Sequence, residues 1–149
     1  MEKFESWEDL LMHVAAGLSI WYHAPLDVNP VRVRAEIRSR MKVRVFPPSR
    51  DCDPFTADRG HLDRFRGRLS PGEHARRNAS GQATPLIAEA PDDSGAFITL
   101  AGPQRFKHGW RWCVRLGVKD GCAYGGCCMY LTQGEARQSF ERYSRKMVG

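Results

Sequence analysis

Residues 31–46 read VRVRAEIRSRMKVRVF. Val31, Val33, Ala35 and Ile37 alternate with Arg32, Arg34, Glu36 and Arg38, and Met41, Val43 and Val45 alternate with Lys42 and Arg44. A period of two places one set of side chains on each face of an extended strand. Two such runs around residues 38–41, closed by Pro47-Pro48, predict an antiparallel hairpin with one apolar and one cationic face. If Val31, Val33 and Ile37 point inward, then Arg32, Arg34, Arg38, Lys42 and Arg44 form an outward stripe opposed by Glu36 alone.

Upstream of this hairpin, Ser19–His23 is a short run of strand formers ended by Pro25. Before it, Phe4, Trp7, Leu10, Leu11 and Val14 recur at helical spacing. Ser6 is placed as the N-cap of this helix, Asp9 occupies the capping-box position and Gly17 offers a left-handed stop. Downstream, residues 51–68 predict one short helix capped by Asp58, with Leu62 and Phe65 on its inner face. Residues 69–95 are rich in Pro, Gly, Ser and Ala and read as a linker or long loop.

Strand patterning resumes in the last third. Ala96–Leu100 is an apolar run, and Trp110, Trp112, Val114 and Leu116 alternate with Arg111, Cys113 and Arg115. Asp120-Gly121 signals a turn, and Cys127–Leu131 suits a return strand. Thr132 with Glu135 forms a capping box for a final helix whose inner face carries Ala136, Phe140, Tyr143 and Met147. The expectation is an α+β fold with two small antiparallel sheets, each flanked by a helix, in the order α-β-β-β then β-β-β-α. It divides into an N-terminal module (1–68) with the basic hairpin, a linker or long loop (69–95) and a basic C-terminal module (96–149). One continuous domain with a long ordered loop is the alternative.

The chain has 149 residues and a net charge of +6. Residues 96–149 hold nine basic and three acidic side chains, which favours a polyanionic partner over acidic mimicry. No apolar stretch approaches the roughly 20 residues of a membrane span. Glu2, Glu5, Glu8 and Asp9 stand where a signal peptide carries only positive charge. The protein is therefore expected in the cytoplasm, with its five cysteines reduced.

Three constellations suggest function. The stripe Arg32, Arg34, Arg38, Lys42 and Arg44 can neutralise phosphates, with Arg111 and Arg115 as further candidates, although a solvated face that blocks edge-to-edge aggregation has the same composition. Trp110, Trp112 and Tyr124 among Arg105, Lys107, His108, Arg111 and Arg115 suit stacking on single-stranded nucleic acid, but the Trp spacing also matches the core positions Val114 and Leu116. His108, Cys113, Cys122 and Cys127 supply zinc-ligand types without the tight C-x2–4-C knuckle of structural sites.

The segment with Asp51, Asp53, Asp58, His61 and Asp63 has cation-ligand types, and the same residues serve as turns and caps. No nucleophile, base and orienter can be assembled, so an enzyme is not expected. The leading expectation is a small non-enzymatic protein that contacts nucleic acid or a nucleoprotein through basic strand faces. The alternative is a protein-binding inhibitor or adaptor of the kind mobile elements encode against host nucleic-acid-handling enzymes, with Trp21, Tyr22, Trp110 and Tyr143 as anchors. A zinc-stabilised interaction module is the third; otherwise no cofactor is expected.

Overall fold

In the computed structural model, which describes residues 1–49, 52–68, 72–82, 84–91, 96–118 and 124–148, Ser6 has extended dihedrals and its Oγ accepts the Asp9 N–H at 3.1 Å. That cap satisfies one of the orphan amides of a helix start and opens α1 (Trp7–Ala15). Gly17, at φ +75°, ends the helix in the left-handed region that a side chain resists. The remaining elements are β1 (Glu2–Lys3), β2 (Ile20–Tyr22), β3 (Val31–Ser39), β4 (Lys42–Phe46), β5 (Phe55–Ala57), a 3-10 helix (Arg59–Arg64), β6 (Phe65–Gly67), α2 (Glu73–Ala79), β7 (Leu86–Glu89), β8 (Ala96–Phe106), β9 (Gly109–Val118), β10 (Tyr124–Tyr130) and α3 (Gln133–Val148).

The strands form two antiparallel sheets, one of order β1-β6-β2-β3-β4-β5 and one of order β10-β9-β8-β7. Each is flanked by a helix, as the alternation and the capping signals predict: the fold is α+β. The first sheet turns Ile20, Tyr22, Ile37, Val43, Val45 and Phe65 toward α1. Removing each large side chain of this kind from water is worth roughly 1.5–3 kcal/mol. Trp7 also donates its indole N–H to the Arg40 carbonyl at 2.9 Å, which fastens the β3–β4 turn to the start of α1.

The second sheet packs on the other side of α1. Thr99 Oγ1 lies 3.5 Å from the Ala15 carbonyl, and Cys113 Sγ lies 4.0 Å from that of Ala16. Its opposite face carries Leu100, Trp112 and Val114, which pack on Ala136, Phe140 and Tyr143 of α3. Thr132 caps α3, its Oγ1 accepting the Glu135 N–H at 3.2 Å, but the reciprocal half of the expected box is replaced by a bond from the Thr132 hydroxyl to Glu135 Oε1 at 3.0 Å. The order of layers is sheet, α1, sheet, α3, and Asp9 through Ala16 are all buried between the sheets.

Several local expectations change. Phe65, expected on a helix, opens strand β6 and is fully buried; the preceding turn is the 3-10 helix, capped by Asp58 through the Gly60 N–H at 2.9 Å. Tyr22, expected as an exposed anchor, is buried edge-on between Phe55 and Phe65. The stretch 69–95, read as a linker or loop from its composition, contains α2 and β7. Tertiary contacts hold α2: Arg77 Nη2 lies 3.0 Å from Asp9 Oδ1 and 3.8 Å from Glu73 Oε2, and Glu73 Oε1 accepts the Arg105 N–H at 3.3 Å. The expected turn at Asp120-Gly121 lies outside the described residues.

Candidate nucleic-acid interface

The face of the first sheet that points away from α1 is defined by its register. Directly opposed residues of antiparallel strands share a face. Lys3 opposes Arg66, Arg66 opposes Trp21, and Trp21 opposes Arg32, giving one row across four strands. Arg34 opposes Phe46, and Glu36 opposes Arg44, which opposes Thr56. The hairpin stripe is thus the centre of a wider surface.

Neutral groups hold the cations of this surface in place. Arg32 Nη2 donates to Ser19 Oγ at 2.9 Å, and Arg44 Nη1 donates to Thr56 Oγ1 at 3.3 Å. The Arg34 guanidinium lies 4.5 Å from the centre of the Phe46 ring, and that of Arg68 lies 5.3 Å from the Trp21 ring. Both distances fall within the range where a cation is attracted to a π face. Arg66 donates to the carbonyls of Asp63 and Phe65. Lys3, Arg32, Arg34, Lys42 and Arg68 are exposed, and Arg44, Arg66, Trp21 and Phe46 are half-buried.

Strict alternation fails at one expected position. Ile37 pairs with Val43 and Ser39 with Lys42, so Arg38 is the extra residue of a bulge. It is half-buried, 3.8 Å from the carboxylate of Glu36, whose side chain is only 4% exposed. Arg38 therefore balances the single acidic group of the stripe instead of extending its cationic row.

Arg111 and Arg115 belong to the second sheet. Arg111 Nη1 donates to its neighbour's carbonyl, Trp110 O, at 2.8 Å. Arg115 Nη1 donates to Ala16 O at 3.2 Å, where a cation complements the negative end of the α1 dipole. Trp112 is a core residue, whereas half-buried Trp110 lies under Arg76, 4.6 Å from ring centre to guanidinium.

Comparison with known proteins gives no match. No family model, no curated protein and no solved structure matches the chain.

The other candidate sites separate. His108 is exposed in the β8–β9 turn, while Cys113 is buried against α1 five residues along the strand, roughly 16 Å away at strand rise. These two cannot share one ion. Cys122 and the side chain of Cys127 lie outside the described residues, as does Asp51. Among the described residues no group of three or more His, Cys, Asp or Glu could hold a metal. Asp58 and His61 close the 3-10 helix on each other, Asp58 N–H to His61 Nδ1 at 3.2 Å.

A second polar cluster lies inside the molecule. Asp9 and His13 of α1, with Glu73 and Arg77 of α2, are all buried. Burial, followed by the nearby Arg77 charge, lowers the His13 pKa from 6.5 to about 4, so its imidazole is neutral at pH 7. Enclosed in this way, the cluster has no access to a partner and acts as a fastening between helices.

Proposed function

We propose that the protein binds nucleic acid, without catalysis, through the open face of its six-stranded sheet. One observation carries this reading: the register aligns Lys3, Arg66, Arg32, Arg34 and Arg44 with Trp21 and Phe46 on a single face. Cations neutralise phosphates and release counterions, while aromatic rings in a sheet offer surfaces on which unpaired bases stack. Contacts of this kind position a strand without reading its sequence. The surface therefore suits single-stranded RNA or DNA with little base preference.

The test is fluorescence anisotropy of a labelled single-stranded 12-mer titrated with protein at increasing salt. Four neutralised phosphates give a slope of log K against log salt of about −3. The triple variant Arg32→Glu, Arg34→Glu, Arg44→Glu abolishes binding while the protein stays folded. Absence of binding at low salt, or affinity that does not change with salt, removes the proposal.

A second reading, a protein-binding adaptor, draws on Leu26 and Val28 in the β2–β3 loop, which are 97% and 90% exposed. Isolated apolar tips of this kind suit insertion into a partner's pocket. Capture of a protein that survives nuclease treatment and is lost on Leu26→Ser, Val28→Ser supports it; capture lost with the nucleic acid returns the case to the sheet face.

A further inference from the structure

The two sheets end in four edge strands, β1 and β5 in the first and β7 and β10 in the second. Three of these edges are blunted. β1 is two residues long and both are charged, β5 is three residues long, and β7 follows Pro85 and ends in Glu89. Short strands, charges and proline are the usual protections of an edge against pairing with another chain. β10 has none of them. It runs for seven residues, YGGCCMY, without proline, Asp, Glu, Lys or Arg. Among the described residues it pairs with β9 alone, so its outer side has no strand beside it. α3 packs chiefly over β8 and β9, on Leu100, Trp112 and Val114, and so covers the face of the sheet and not this edge. Met129 and Leu131, 52% and 68% exposed, mark the same edge with apolar surface.

The order of residues along β10 determines what fits against it. Its ladder with β9 is regular from Gly126 to Tyr130, after a bulge between Tyr124 and Gly126. Set antiparallel to itself about the middle residue, Cys128, this run places Gly126 opposite Tyr130 and Cys127 opposite Met129. Each large residue meets a small one, and an aromatic residue opposite an edge glycine is a favourable pairing. Two copies of a chain with net charge +6 repel, and an uncharged strip is where they meet at the least electrostatic cost.

We propose that two copies of the chain pair β10 against β10 about a twofold axis at Cys128, which joins their four-stranded sheets into one of eight strands. Such a contact is isologous, the same patch serving on both sides. Five paired residues span only about 17 Å, so the association is weak and follows concentration. The outer faces of both six-stranded sheets turn to the same side of the pair.

The test is sedimentation velocity of the full chain, reduced and without nucleic acid, at about 1 to 100 μM, so that its outcome is independent of the reading above. The sedimentation coefficient is expected to rise with concentration to that of a dimer. Met129→Lys, at a half-exposed position that tolerates the change, brings two ammonium groups to about 7–8 Å across the axis and is expected to weaken the dimer about tenfold or more. Its urea midpoint, unchanged from that of the parent, shows that the fold is kept. A second readout needs no charge. Opposed residues have Cα atoms about 4.5–5.5 Å apart, within the span of a disulfide. Oxidation of Cys52→Ser, which lacks the exposed thiol, with diamide is therefore expected to link two copies through Cys128, read by peptide mass mapping. A monomer at every concentration, a dimer that Met129→Lys leaves intact, or a link that excludes Cys128 overturns the proposal.

Discussion

Arg77→Met tests how strongly α2 is fastened to the rest of the molecule. Arg77 and Asp9 meet at 3.0 Å with side chains only 4% and 8% exposed. An exposed pair is worth about 0–1 kcal/mol, but removing one partner of a buried pair costs about 3–5 kcal/mol, because the other charge stays in a poorly solvated site. The burial places this pair in the second regime. Urea denaturation at pH 7 should show a loss of about 3–5 kcal/mol at an unchanged m-value. Asp9→Leu with Arg77→Met removes the charges of that pair and should recover part of the loss, because buried Glu73 keeps the Arg105 N–H but still loses Arg77. The single variant should also raise the His13 pKa, since the Arg77 charge helps to lower it. A single-variant cost below about 1 kcal/mol, or a double variant as damaged as the single, refutes the reasoning.

His13 titrates near 4 in the folded chain against 6.5 ordinarily, so the unfolded chain binds more protons between those values. Stability should be full above pH 6.5 and fall by about 3 kcal/mol as pH drops to 4, a trend that His13→Leu flattens in urea midpoints. The Arg59 contact lowers the Glu8 pKa and adds a loss of the same sign at lower pH. Gly17→Ala should cost at least about 1–2 kcal/mol for its φ of +75°, with a further loss from displacing Arg115, read as a drop in Tm. Leu26→Ser and Val28→Ser should each change the unfolding free energy in urea by no more than about 0.5 kcal/mol, because neither side chain is buried.

The elements legible in the sequence are those whose signals are local. Eight alternating residues announce β3, and the Ser6 and Thr132 caps announce α1 and α3. Strands β1, β5, β6 and β7 run two to four residues, too short for a period to form, and α2 depends on Arg77 meeting a helix 68 positions earlier in the chain. The same division runs through the candidate site. Arg32, Arg34, Lys42 and Arg44 follow from alternation, but Lys3, Arg66, Arg68 and Trp21 join them only through the non-local order β1-β6-β2-β3. Two local hints existed: Trp21 sits out of phase with inward Ile20 and Tyr22, and Phe46 sits in phase with Lys42 and Arg44.

The enclosure of α1 also sets a timetable for synthesis. Its contacts with Thr99, Cys113 and Arg115 span 84 to 99 residues of chain. At about 5–20 residues per second, a ribosome delivers that second wall on the order of 5–20 s after the helix emerges. Through that interval the nascent polypeptide carries its most apolar helix half covered, so elongation speed governs how long this surface is open to aggregation or to a chaperone.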